Sequence, residues 1–277
     1  MKILITNDDG YQAKGIRVLT EIMKQFGEVT VVAPKRPQSG MSMAVTMGLK
    51  PIGVKQIENS PGLRRWYLDA TPASCVKYGI DNIFWPDKPE LVLSGINHGS
   101  NAATAAVYSG TIGAAMEAAV NRIPGIGVSL DSYVEDADFS AVEAFLPEIL
   151  DKLMPLLKDA PLGAFYNINF PKLPAQEIKG VKLGHMGMAH WEKEFRSYPE
   201  FLHEIGRKPT EEDLLYCEKA CSEGEDVLVM AGDFISDGEN DRFSDHLLNE
   251  DGWISITPQN IDNTDFNELK RLCDTIL

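Results

Sequence analysis

The chain has 277 residues, 44% of them hydrophobic and 24% charged, and 41 acidic against 26 basic side chains give a formal net charge of −15. That length and composition suit one large or two small globular domains with a self-sufficient core, and argue against a disordered, collagen-like or coiled-coil chain. The acidic balance disfavours a nucleic-acid backbone as a stable partner, but not a small anion held by backbone N–H groups and a metal.

Lys2 to Thr6 is a short apolar run with β character that ends in Asn7-Asp8-Asp9-Gly10. It is too short for a signal peptide and turns acidic at once, and no later run reaches the roughly 18 apolar residues of a membrane span. The expectation is a cytoplasmic protein with its mature N-terminus intact. Ile16, Leu19, Ile22, Met23 and Phe26 have helical spacing, and Glu28 to Ala33 reads as a buried strand ended by Pro34. Strand, helix and strand within about thirty residues is the βαβ pattern of a parallel sheet. Leu91 to Ser94 is a further strand, broken at Gly95, and Thr111 to Asn121 is Ala-rich and helical. Ile126 to Leu130 is a strand, residues 139–157 an amphipathic helix, and Ala164 to Phe170 a strand stopped by Pro171. This alternation predicts an α/β fold, an open and mostly parallel sheet with helices on both faces.

After Pro171 the texture changes. Residues 180–187 and 227–235 have strand character, with a charged segment and a helix near 211–221 between them. Trp253 to Pro258 is a strand, and residues 265–277 suit a terminal helix. We divide a single domain accordingly: a core over 1–171 that carries the site, an extension over 172–250 with a hairpin and a charged insert, and a terminal strand and helix over 251–277. Cys75, Cys217, Cys221 and Cys273 are scattered, which fits reduced thiols better than a disulfide framework. Cys217 and Cys221 lack a second pair at ligand spacing, so they read as neighbours on one helix face rather than half a zinc site.

Ligands of an open α/β sheet bind beyond the carboxyl ends of its strands. There stand Asn7-Asp8-Asp9-Gly10, the segment Pro34 to Gly40 with Ser39, Gly95-Ile96-Asn97-His98-Gly99-Ser100-Asn101, and Ser109-Gly110-Thr111 at the head of the Ala-rich helix. Two carboxylates held together resist ionisation unless a cation lies between them. Oxygen ligands suit a hard ion such as Mg²⁺ or Mn²⁺, with Ser39 and Asn97 able to add neutral oxygens. The competing reading is a helix cap and a tight turn. Ser109-Gly110-Thr111 can receive an anion on helix N–H groups and hydroxyls, although the tripeptide alone reads first as an N-cap. His98 borders this region. Gly-x-Gly-x-x-Gly, P-loop and Gly-x-Ser-x-Gly motifs are missing from the sequence.

Ile5-Thr6-Asn7-Asp8-Asp9-Gly10, Pro37-Gln38-Ser39-Gly40, Ser94 to Asn101 and Tyr108 to Ala115 together resemble the survival protein SurE family. Thr71-Pro72-Ala73 with Cys75-Val76, Asn167-Ile168-Asn169-Phe170-Pro171 and Ser255-Ile256-Thr257-Pro258 fit as well. The resemblance implies a Rossmann-like core with a β-hairpin extension, and a homodimer or homotetramer formed through exchanged C-terminal segments. It implies a phosphatase of nucleoside 5′- and 3′-monophosphates that uses one divalent metal ion per subunit, Mg²⁺ or Mn²⁺. Carried over residue by residue, it gives Asp8, Asp9, Ser39 and Asn97 as metal ligands, with Asp8 and Asp9 catalytic. It gives Asn101, Ser109, Gly110 and Thr111 as phosphate contacts. The family usually has Asp where this chain has Ser74, and residues 188–245 match its pattern poorly. Two other readings fit less well. A haloacid-dehalogenase-type enzyme needs carboxylates on alternate residues after the first strand, and a receiver domain needs an Asp after the third; this chain has Asn97 there. A metal-dependent phosphate or nucleotide binding module without turnover is the alternative to an enzyme.

Overall fold

A strand apolar at nearly every position needs cover on both faces, and alternation decides which residue goes to which face. The computed structural model describes residues 1–134 and 136–276. In it, β1 (Lys2–Thr6) sends Ile3 and Ile5 to one side of the sheet and Leu4 to the other. Next come α1 (Lys14–Met23), β2 (Glu28–Pro34), β3 (Val54–Ser60), β4 (Leu63–Leu68), α2 (Pro72–Tyr78) and a π-helical turn over Gly79–Phe84. They are followed by β5 (Leu91–His98), the single turn α3 (Ala105–Tyr108), α4 (Gly110–Val120), β6 (Gly125–Leu130), α5 (Ser140–Leu157), β7 (Ala164–Phe170) and β8 (Val181–Leu183).

Ile16, Leu19, Ile22 and Met23 of α1 and Val142, Leu146, Ile149 and Leu150 of α5 cover one face of the sheet, against Ile3, Ile5, Val29, Val31, Leu91 and Leu93. Cys75 and Val76 of α2 and Ala114 and Ala118 of α4 cover the other, against Leu4, Val32 and Val92. At about 1.5–3 kcal/mol for each fully buried aliphatic side chain, these two layers dominate the stability of the fold.

Residues 188–240 form a second compact unit. It holds β9 (Ala189–Glu192), β10 (Phe195–Ser197), α6 (Tyr198–Glu204), α7 (Glu211–Ser222), β11 (Leu228–Met230) and β12 (Asp233–Ser236). β9 pairs antiparallel with β12 and β10 with β11, so this unit is an interrupted hairpin with two helices between its inner strands. The Trp191 and Phe234 rings meet edge to face at 5.2 Å across the outer ladder, and a capping box between Thr210 and Asp213 starts α7. In the first unit the chain closes with α8 (Asp245–Glu250), β13 (Ile254–Asn260) and α9 (Phe266–Ile276).

Among the described residues the main sheet has nine strands in the order β3-β4-β2-β1-β5-β6-β7-β13-β8. From β4 to β7 all neighbours are parallel; β3 is antiparallel to β4, and β13 to β7. The strand order reverses between β1 and β5, the place where open α/β sheets leave a crevice for ligands.

The expected elements of the first half are present, with ends displaced by at most three residues except at β5, which does not break at Gly95 but runs four residues beyond Ser94 to His98 through a bulge. The helix expected over 16–26 runs Lys14–Met23, because Gln25 and Phe26 donate to Ile22 and Met23 in tighter turns. The expected strand 180–187 shrinks to β8, and 227–235 divides into β11 and β12 around Ala231 and Gly232. Of the terminal helix expected over 265–277, position 277 lies outside the described residues.

Candidate active site

Asp8 and Asp9 follow β1 at the switch point, on a turn fixed from three sides. Asn7, fully buried, donates from Nδ2 to Gly10 O at 3.0 Å, and Gly10 holds φ +96°, which a residue with a Cβ adopts only under strain. Gln38 N donates to Asp8 O at 2.7 Å, which brings the loop after β2 onto the same turn. Tyr11 N donates to Pro34 O at 2.9 Å.

The head of α4 closes over Asp8. Ser109 is its N-cap, its hydroxyl oxygen accepting from Ile112 N at 3.2 Å. Thr111 Oγ1 donates to Asp8 Oδ1 at 2.7 Å, and the Thr111 backbone also bonds to this carboxylate. Gly110 sits so near that a Cβ there would stand 2.9 Å from Asp8 Cβ and 3.0 Å from Asp8 Oδ2. Glycine at 110 is therefore a packing requirement of the carboxylate.

Asp8 is 4% exposed and no Lys or Arg among the described residues pairs with it. Burial first, and the neighbouring Asp9 second, push its pKa up from the ordinary 3.8 to about 6, against the opposing pull of Thr111. Asp9 is held differently. Its Oδ2 accepts from His98 N at 3.1 Å and stands 3.1 Å from His98 Nδ1. The His98 ring is itself set edge-on against Phe139 at 5.2 Å.

The β5 strand reaches this place through a bulge. Its register against β6 shifts between Ser94 and Asn97, and Gly95, at φ +138°, lies so close to Val128 O that no Cβ would fit. The bulge aims Asn97 and His98 at the crevice. Asn97 Nδ2 donates to Gly99 O at 2.9 Å, which leaves its carbonyl oxygen as the atom to offer a cation.

The site residues expected from the sequence thus occupy three kinds of position. Asp8, Asp9, Gly110 and Thr111 are brought together by direct contacts, with Asn97 on the adjoining bulge. Ser39 follows Gln38 on the loop bonded to Asp8 and is exposed. Asn101 stands apart in a buried amide network. Its N donates to Asn169 Oδ1 at 2.9 Å, its O accepts from Asn167 Nδ2 at 2.8 Å, and its Nδ2 donates to Ser129 Oγ at 2.8 Å. One hydrogen of that Nδ2 remains for a ligand. The expectation of phosphate contact at Thr111 meets a different geometry, since its hydroxyl and backbone already serve Asp8.

Sequence reasoning missed the His98–Asp9 contact, having left His98 at the border. It also missed the carboxylate of Asp245, fully buried at the head of α8, which accepts from Ala103 N at 2.9 Å and Gly187 N at 3.0 Å. The sequence carries a signal only for the Asn network. Asn167 and Asn169 alternate on β7 and so share a face. Among the described residues no group of three or more His, Cys, Asp or Glu side chains could hold a metal. Two carboxylates with neutral oxygens is the donor chemistry of a hard, hydrated cation rather than of zinc.

The family model described as "Survival protein SurE" matches residues 3–193. The chain belongs to the SurE family. It is 38% identical to a protein of Christiangramia forsetii named 5′-nucleotidase SurE, covering 98% of this chain and 95% of the relative. It is 39% identical to the protein of the same name from Cytophaga hutchinsonii, covering 95% and 92%. The crystal structure of the SurE protein from Aquifex aeolicus superposes with a TM-score of 0.74 at 29% identity, covering 98% of this chain and 97% of that one. The mostly parallel sheet with flanking helices is the fold of that family.

The interval between 3.8 and about 6 makes ionised Asp8 a liability of about 3 kcal/mol in the metal-free fold. The folded state binds this proton more tightly than the unfolded chain, so stability falls as pH rises from about 4 to 6 and the penalty is complete above that. Asp8→Asn, which cannot ionise, is expected to stabilise the EDTA-treated protein at about pH 7 by roughly 1–3 kcal/mol, with the gain gone below about pH 4. Urea unfolding at the two pH values measures this. No gain at neutral pH, or a gain that persists in acid, contradicts it.

Proposed function

We propose that the chain hydrolyses nucleoside 5′-monophosphates, and 3′-monophosphates as well, with one divalent cation at the Asp8–Asp9 pair. The observation that carries the reading is a buried carboxylate with a second beside it, no Lys or Arg paired with either among the described residues, and a helix head packed against the first (Ser109 to Thr111). The names of the relatives, 5′-nucleotidase SurE, support the reaction class.

Asp8, Asp9, the Asn97 carbonyl oxygen and the Ser39 hydroxyl would hold the ion, Mg²⁺ or Mn²⁺. Bound there, it would acidify a water and draw charge from the phosphoryl oxygens. The rest falls to the chain. The Gly110 N–H at the head of α4 and the Ser109 hydroxyl, with its hydrogen still free, face negative charge on the equatorial oxygens, while the Thr111 and Ile112 N–H groups are taken by Asp8 and Ser109. The remaining hydrogen on Asn101 Nδ2 adds a donor, and its placement depends on the amide network behind it. Thr111 ties the phosphate-binding turn to the carboxylate, so that the two parts move as one. Asp9, with Oδ2 committed to His98, offers Oδ1 to the proton of the attacking water, and the departing ribose oxygen takes its proton from solvent water. His98 fixes the rotamer of that base and is a positioning residue. The four thiols are free, and the setting is the cytoplasm.

Phosphate release from 5′- and 3′-ribonucleoside monophosphates with Mg²⁺, Mn²⁺ or EDTA tests the reading. Release should require the metal, and Asp8→Asn should lower turnover at least about a hundredfold in a protein that still folds. No release under either metal would leave a binding module, and release that survives EDTA would remove the ion from the mechanism.

We also propose that the C-terminal segment is exchanged between copies to give a homodimer or homotetramer. Phe266, Leu269, Leu272 and Ile276 form one stripe of α9, and all four are exposed. An apolar stripe on an amphipathic helix needs a partner surface. The variant carrying Leu269→Glu and Leu272→Glu should run as a monomer in light scattering. An unchanged mass would place the interface elsewhere.

A further inference from the structure

A cleft of about 620 Å³ opens on the Asp9 side of the site, lined among others by Tyr11, Lys14, Arg17, Lys35 and Tyr133. Its size is that of a small-molecule site, roughly 300–1,000 Å³. We propose that this cleft is a subsite for a second phosphate on the substrate, and that it makes nucleoside 3′,5′-bisphosphates better substrates than monophosphates. The inference rests on the nucleotidase reading above.

Charge is the first argument. The protein carries −15 overall, yet this cleft gathers three cationic side chains against the carboxylates of Asp9 and Asp136. Lys14 is occupied, its Nζ donating to Asp136 Oδ1 at 2.6 Å and to Ala137 O at 2.8 Å. Arg17 has no carboxylate partner among the described residues. The Lys35 ammonium stands 5.9 Å from the centre of the Tyr67 ring, a weak contact that an anion can outbid. Arg17 and Lys35 are thus the two cations left to meet a phosphate, and the guanidinium can do so in bidentate form.

The second argument is the helix that carries two of the three. α1 has no acidic residue in its first turn, and its N-cap, Ala13, makes no side-chain capping bond. Acidic side chains normally occupy the first turn, where they complement the helix dipole, and cations there are unfavourable. In a chain with 41 acidic residues this arrangement runs against the general composition. An anion seated in the cleft reverses the sign of the effect. The third argument is the wall. Tyr11, braced at 4.9 Å against Tyr67 and at its carbonyl by Arg65 Nη2 (3.3 Å), presents a fixed aromatic surface for a nucleoside base, and Tyr133 presents another.

The test compares adenosine 3′,5′-bisphosphate with 5′-AMP and 3′-AMP, using the wild-type protein loaded with Mn²⁺ and the double variant Arg17→Gln with Lys35→Gln. Products are identified by chromatography. The wild type should show kcat/KM for the bisphosphate at least about tenfold above either monophosphate, the difference lying mainly in KM and shrinking with added salt. The double variant should bring the three substrates to within about twofold while leaving the monophosphate values unchanged. Equal rates in the wild type, or an equal loss for all three substrates in the variant, would overturn the subsite while the nucleotidase reading stands. Failure to hydrolyse any of the three would strike the nucleotidase reading itself.

Discussion

The carboxylate of Asp8 is the constraint on which the rest of the site depends. It lies at the carboxyl end of a buried strand, beside a second carboxylate, in a place where water cannot stabilise its charge. Thr111 supplies a hydroxyl bond at 2.7 Å and a backbone bond, and Gly110 packs against it, but no Lys or Arg among the described residues pairs with it. Burial of an unpaired charge is among the most expensive arrangements in a protein. A fold that retains it gives up stability, and the raised pKa of Asp8 is the mark of that cost, which a cation bound as we propose would offset.

The surrounding structure holds that arrangement in position. The β5 bulge turns Asn97 and His98 toward the crevice, and it depends on Gly95 because Val128 O leaves no room for a side chain. His98 then fixes Asp9 through one oxygen. Behind Asn101, the amides of Asn167 and Asn169 bond to its backbone and to each other, with Asn169 Nδ2 donating to Asn167 Oδ1 at 2.8 Å. Asn249 of α8 reaches the same strand, donating to Asn169 O at 2.9 Å. Buried amides with their partners satisfied make a rigid support. Asp245 does similar work at Ala103, whose φ of +52° is held in part by that bond. Ser74 has a structural role. Its hydroxyl accepts from Thr46 N at 2.8 Å and lies 2.9 Å from the Thr71 hydroxyl, which joins the loop before β3 to the head of α2.

Much of the fold is legible in the sequence because two-sided burial leaves continuous apolar strands that Pro and Gly terminate. The β3–β4 hairpin is not, since β3 is almost wholly exposed and Arg64-Arg65 interrupts the apolar pattern of β4. Neither is α8, a short helix whose polar residues face inward. At the site, Asp8, Asp9 and Asn97 stand out because strand ends are where ligands bind. The bond from Thr111 to Asp8 spans 103 residues of sequence, and no local pattern announces it. The cationic side chains of α1 look like an ordinary solvated helix face until the fold sets them beside Asp9 and Lys35.

The charge of the protein and the chemistry of the site pull in opposite directions. A surface of −15 repels phosphate esters at a distance, and the cationic cleft and the cation proposed for Asp8 and Asp9 would be local corrections to that field. All of this requires that Asp8 be a ligand. The most direct measurement is a calorimetric titration of Mn²⁺ into the metal-free wild type and Asp8→Asn proteins, at about pH 7.5 and about pH 5. The account predicts one Mn²⁺ per chain in the wild type at the higher pH, weaker binding at the lower pH as Asp8 takes up its proton, and no comparable binding in the variant. Equal affinity in the two proteins would contradict it.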